Sequence, residues 1–226
     1  MVYVREFDGK THDFGVIGVD KGTLIMYDDQ TRSRWSQLFG EAVEGPMKGQ
    51  TLEKLPSTMT TWGQWRDLHP DTTVYIKSSI PYRARFNGKH FADIARQDPD
   101  SELQPNDWIV GLEGHVNARV YPAKRLAQQR LLNEHFEGQA TLVYLSSDLT
   151  TARVLDREVD GRELTFALTD DDQMRDQETG SLWDPLSGRA VSGELEGKEL
   201  QPLVSIYALW FAWQKYRPDS EIWGGD

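Results

Sequence analysis

The chain has 226 residues, a formal charge of −11, 38% hydrophobic and 27% charged residues, 8 Trp and no cysteine. That length supports a sizeable core in one or two domains, and the composition is that of a folded chain rather than a disordered one. The charge argues against a nucleic-acid partner, whose phosphates are held by Lys and Arg, and the lack of cysteine removes disulfides, thiolate nucleophiles and cysteine-ligated metals.

In chain order, Val2 to Phe7 and the residues after Asp8-Gly9 form an expected hairpin, because Asp-Gly takes the positive φ angles of a tight turn. Leu24 to Tyr27 and Arg34 to Leu38 read as strands. A helix is expected near Thr60 to Leu68, with Trp62 and Trp65 on one face and Pro70 ending it. Ser79 to Asp107 is polar, carries Pro81, Pro99 and Pro105, and reads as an irregular connector. Strand character resumes at Trp108 to Leu112 and at Ala118 to Tyr121. Pro122 to Leu132 reads as a helix with Pro at its first position, and Thr141 to Leu145 as an apolar strand. Near the end, Leu209, Trp210, Trp213 and Tyr216 form the apolar side of a further helix that Pro218 stops.

Read against itself, the chain repeats. Asp28 to Tyr75 aligns without a gap on Asp176 to Trp223, and 17 of 48 positions are identical. Asp28, Thr31, Ser33 and Trp35 recur as Asp176, Thr179, Ser181 and Trp183, and Leu38 to Gly45 recurs as Leu186 to Gly193. Upstream, Arg5 to Gly9 matches Arg157 to Gly161, with a longer hairpin expected in the first copy between Gly15 and Leu24. The expected fold is a β-rich α+β chain: two copies of a strand-rich unit, each followed by a Trp-containing helix. Residues 1–78 form the first unit, truncated at its N-terminus; 79–106 the connector; and 107–226 the second unit with its preceding half-unit.

Those residues carry a family resemblance. Leu24 to Gly49, Leu55-Pro56-Ser57 with the Trp-containing helix, His69-Pro70-Asp71, Asp107 to Glu113, Ala118 to Pro122 and Asn133-Glu134 together resemble the bacterial domain-of-unknown-function family 3179. The resemblance covers nearly the whole chain and implies no known activity. Similar proteins often carry a Cys-Pro-Leu-Cys-like element with a His upstream. Here those positions correspond to Ser146, Leu149 and Gln129, so no thiol or metal role carries over. By the repeat, the first copy's equivalent of Ser146 to Thr150 falls upstream of Met1. The chain is therefore expected to be a fragment, a mis-started reading or a reduced relative.

Candidate chemistry is sparse. No two of the five His have the i, i+4 spacing of a zinc hydrolase, no glycine pattern cradles phosphate, and no Ser sits in a nucleophile elbow. Glu113 and His115 flank an expected hairpin turn rather than a metal site. Asp28 and Asp176 read either as acid/base or cation-binding groups or as turn caps accepting backbone N–H bonds, and the spacing favours caps. Trp35, Trp183 and the two helix pairs, Trp62 with Trp65 and Trp210 with Trp213, either line a ligand groove or pack the core, and core packing is the favoured expectation. The candidate ligand-binding set is Asp28, Trp35, Asp176, Trp183, Glu134 and His135, with no metal ligands, no cofactor and no assigned catalytic residue. The expected role is a non-catalytic binding or structural module for a small-molecule or protein ligand. The alternative is an enzyme or metal-dependent protein with a carboxylate and aromatic site between the repeats. No bilayer-spanning run and no signal peptide is present in the sequence given, which leaves the compartment open.

Overall fold

The computed structural model describes residues 1–20, 22–76 and 101–224. Most of the expected connector lies outside them. Short antiparallel sheets dominate, with three short helices among the described residues. None of these helices is long and apolar enough to cross a membrane.

The first part runs β1 (Val2–Tyr3), β2 (Glu6–Phe7), β3 (Lys10–Thr11), β4 (Phe14–Asp20), β5 (Thr23–Asp28), β6 (Arg34–Ser36), β7 (Ala42–Glu44) and β8 (Lys54–Leu55). β2 and β3 make the expected hairpin, with Asp8 at φ 51° and Gly9 at φ 67°. That pair of left-handed angles matches the twist of the flanking strands. β4 to β7 form one antiparallel sheet in sequence order, around Trp35, Ala42 and Leu52. The β4–β5 ladder slips between Val16 and Gly18, leaving Ile17 as a bulge. β4 lies at the edge, with Val16, Ile17 and Val19 exposed.

α1 (Trp62–Leu68) follows, two residues inside the expected helix at its start. Thr61 caps it: its hydroxyl accepts from the Gln64 amide, while the Gln64 side chain accepts from the Thr61 amide. The last described turn closes on His69, whose amide donates to the Trp65 carbonyl at 2.8 Å. Replacing Thr61 by Ala should lower α1 stability by about 1 kcal/mol. Hydrogen exchange at the Trp65 and His69 amides is the readout, and unchanged protection there would refute the cap.

β9 (Trp108–Glu113) and β10 (Ala118–Pro122) form a hairpin whose tip is closed by the Gly114 amide donating to the Asn117 carbonyl. The Glu137 carboxylate accepts the His115, Val116 and Asn117 amides, which hold it below its ordinary range. The helix expected from Pro122 to Leu132 is shorter: α2 spans Ala123–Leu126. Arg130 turns left-handed at φ 63°, and Leu131 and Leu132 are extended in β11 (Leu131–Phe136), where they face Tyr144 and Val143 of β12 (Gln139–Leu145). Sheet pairing there overrides the helical pattern. β13 (Ala152–Asp156) completes this three-stranded sheet.

β14 (Glu158–Val159) and β15 (Arg162–Glu163) pair around Asp160-Gly161, again with both φ angles positive. β16 (Phe166–Leu168), β17 (Met174–Asp176), β18 (Leu182–Asp184) and β19 (Arg189–Ser192) form a second four-stranded antiparallel sheet. Unlike β4, β16 has its edge closed, because the Asn133 amide both donates to the Phe166 carbonyl and accepts from its N–H, each at 2.8 Å.

β20 (Ile206–Leu209) joins β9, and β21 (Glu221–Ile222) joins β10 in the one parallel pairing among the described residues. Between them, α3 (Trp210–Gln214) buries Trp210, Phe211, Ala212 and Trp213. Trp213 lies flat against β9. A Cβ on Gly111 would fall 2.2 Å from its ring, so only glycine fits there. The two Trp pairs therefore differ. Trp213 is 0% exposed, whereas Trp62 and Trp65 are 50% and 39% exposed, and α1 buries no residue. The sheet of β9 and β10 lies under α3, and no comparable strand pair lies under α1 among the described residues. For Trp62 and Trp65 the expected core packing is thus corrected.

Phe39 joins the front of the chain to its end. It is fully buried among Ile109, Val120, Ile206 and Trp213, with its ring centroid 4.9 Å from Tyr216 and 5.5 Å from Trp213. The Arg217 guanidinium covers that ring at 4.6 Å and pairs with Glu41 and Glu113, and Lys54 also pairs with Glu113.

Candidate functional site

A cleft of about 640 Å³ opens beside α1. One wall is the segment from Pro56 to Thr60 with Trp65, Leu68 and His69 of α1 and its cap. The other is built from Arg153 of β13, Leu186, Ser187 and Pro202. A second hollow shares Val2, Ser57 and Thr58 with it and reaches Tyr207, so Ser57 and Thr58 form a ridge common to both.

The first wall is braced within itself and against β13 and the residue before it. Thr151, fully buried before β13, donates from its hydroxyl toward Thr60 Oγ1 and Gln64 Oε1, each at 3.1 Å. The Trp65 indole N–H donates to Thr72 Oγ1 at 3.0 Å, and the His69 ring packs on Trp65 with centroids 4.2 Å apart. Arg153 donates to Thr58 Oγ1 at 2.8 Å, its one hydrogen bond of the side chain among the described residues. No carboxylate among the described residues is ion-paired with it. Burial lowers its guanidinium below the ordinary value, partly offset by the field of Asp184, and an arginine still stays charged at neutral pH.

The six residues singled out from sequence lie elsewhere, and none lines this cleft. Asp28 and Trp35 meet in one core. The fully buried Asp28 carboxylate accepts from the Thr31 amide at 2.5 Å, the Thr31 hydroxyl at 2.7 Å and the Trp35 indole N–H at 2.9 Å. Asp176 and Trp183 do the same, with the Thr179 amide at 2.6 Å, its hydroxyl at 2.8 Å and the Trp183 indole at 2.9 Å. In both, burial pushes the carboxyl upward, but the indole, hydroxyl and amide donors outweigh it and hold the group below its ordinary value. Sequence reading missed His12, which is buried beside Asp28: its Nδ1 is 3.6 Å from Oδ1, and its ring stacks on Phe7 at 3.7 Å.

Glu134 and His135 sit on β11 in an ion-pair network. Glu134 pairs with Arg119 at 2.8 Å, and His135 Nε2 lies 3.1 Å from Glu163, which also pairs with the buried Arg157. His135, then Arg157, holds Glu163 below its ordinary value. The structure does not bring Asp28 or Asp176 against His69, His135 or Glu134 in one pocket. No cluster of three or more His, Asp and Glu able to hold a metal ion occurs among the described residues.

Fold and cleft together define a β-rich protein with an aromatic-walled hollow. The chain belongs to the family described as proteins of unknown function, DUF3179, whose pattern matches residues 1–220. No curated protein and no solved structure matches it.

Proposed function

We propose that the chain is a non-catalytic binding module whose two related β-rich units hold a small molecule in the cleft between α1 and β13. The observation that carries this reading is α1 itself: a capped helix that buries none of its residues and sets Trp65 and the adjoining His69 on a cleft wall. Exposed aromatic surface of that kind is costly in water and favourable against a flat ligand. The volume falls in the usual range for ligand pockets, roughly 300 to 1,000 Å³.

The two-unit organisation, residues 1–78 and 107–226 joined by 79–106, is supported by the 17 identities in 48 positions. It is supported too by the same bonds from Asp28 to Thr31 and Trp35 as from Asp176 to Thr179 and Trp183. In this reading those carboxylates and indoles brace each sheet, and Glu134 and His135 brace β11, while the ligand is taken by residues between the units.

A screen of isotope-labelled protein against flat, largely apolar compounds tests the site. Binders should shift the Trp65 indole, Thr58 and His69 signals, and Ser57→Trp, which fills the ridge, should weaken them at least tenfold. Binders whose shifts map elsewhere and persist in Ser57→Trp would overturn the reading.

A further inference from the structure

We propose that the ligand of this cleft carries a single carboxylate on a largely apolar body, and that Arg153 receives that carboxylate. This proposal rests on the binding-module reading and adds the chemical class of the ligand.

Arg153 is partly buried, and a charge drawn out of water is stabilised by a partner of opposite charge. Its neighbours on the sheet cannot serve as one. Val154 and Leu155 are buried apolar residues, and Tyr144 is opposite it on β12. Asp184, whose field Arg153 feels, is committed to its own turn, accepting from the Leu186 and Ser187 amides at 2.8 and 3.1 Å. That leaves one neutral acceptor, Thr58 Oγ1, for a guanidinium with five N–H donors.

The hydrogen bond to Thr58 fixes one end of the planar fork at the ridge and leaves the rest of it on the cleft lining. A carboxylate suits a guanidinium fork through two parallel hydrogen bonds, and partial burial strengthens such a pair relative to the surface. Opposite the charge lie Pro56, Trp65 and Leu68, and Leu186 and Pro202 flank it on its own wall, so the body of the ligand meets apolar surface. A monoanion fits better than a dianion, because Arg189 and Glu199 stand together on the lining and offset each other, leaving Arg153 as its one uncompensated charge. The whole chain carries −11, which also opposes a second negative charge near Arg153.

The test uses a matched pair, 1-naphthaleneacetate and its neutral amide, 1-naphthaleneacetamide, titrated by calorimetry and by the Trp65 indole signal. The acid should bind the wild-type protein at least tenfold more tightly than the amide. Arg153→Met keeps the length of the stem and removes the charge. It should bring the acid down to the level of the amide in the same variant.

Should Arg153→Met not fold, Thr58→Val supplies the second variant: losing the acceptor that orients the guanidinium should cut the preference for the acid severalfold. Equal binding of acid and amide to the wild type would overturn the carboxylate proposal and leave the binding-module reading standing. The same holds for a preference that survives in Arg153→Met. If neither compound moves the Trp65, Thr58 or His69 signals, and the flat neutral compounds of the screen do not either, both fall.

Discussion

Replacing Asp176 by Ala should cost about 3 kcal/mol of stability, since each buried donor left without its acceptor costs roughly 1 to 3 kcal/mol. The Trp183 indole and the Thr179 amide lose their shared acceptor at the centre of the sheet built from β16 to β19. Asp28→Ala should do the same to the sheet from β4 to β7, where the Trp35 indole and the Thr31 amide are stranded.

The isosteric Asn variants should separate charge from shape through pH. Each carboxyl titrates lower in the folded chain than its ordinary 3.8, so the unfolded chain takes up the proton first. The stabilisation is complete above that value and is lost as pH falls through it toward the lower folded value. Urea midpoints at pH 7 and pH 3 should show Asp176→Asn weaker at pH 7 but less sensitive to acid than the wild type. A variant that loses stability in parallel with the wild type over that interval would show that this carboxylate has no part in acid unfolding.

Phe39→Ala should be comparably severe, about 3 to 5 kcal/mol, the usual cost of removing a fully buried phenyl ring. The ring occupies a core otherwise built from β9, β10, β20 and α3, and the guanidinium of Arg217 lies on its face. Truncation opens a void there and removes the surface on which the Arg217, Glu41 and Glu113 pairing is organised. Hydrogen exchange should report a lopsided loss, with protection in β5 and β6 falling further than in β12, which does not touch the ring. A global melt within about 1 kcal/mol of wild type would mean that Phe39 does not join the two parts of the chain.

Much of the strand content was legible because the turns announce themselves. Asp8-Gly9 and Asp160-Gly161 demand left-handed angles that few other pairs supply, and both hairpins form there. The turn-cap reading rested on each Asp with its Thr three residues on, and the Thr31 and Thr179 amides do donate to those carboxylates. The seven-residue spacing from Asp to Trp did not disclose that the indole returns across the hairpin to the same carboxylate.

Burial of the helix tryptophans was not legible, because Trp62 and Trp65 occupy the same pattern as Trp210 and Trp213. Their exposure depends on what lies beneath, and the single local cue is Gly111, a glycine inside a strand that makes room for an indole. The overlong helix from Pro122 arose from a local pattern that the pairing of Leu131 and Leu132 with β12 overrides. The Thr61 to Gln64 capping box was readable and passed over. The cleft had no linear signature, since its lining comes from residues near 2, 56–69, 153 and 186–202.

The unsealed edge of β4 bears on how the molecule behaves in concentrated solution. Asn133 plugs the backbone of Phe166, whereas β4 presents Val16, Ile17 and Val19 with no strand on its outer side among the described residues. Such an edge is a template for adventitious pairing with any extended chain. Two features oppose it: the bulge at Ile17 breaks the straight run of donors and acceptors, and the net charge of −11 repels other copies. The first is independent of solvent, but the second fades as the Debye length shrinks from about 10 Å at 0.1 M salt to about 3 Å at 1 M. Colloidal stability of this protein is therefore an ionic-strength property, set by its acidic surface more than by the strand that most needs covering.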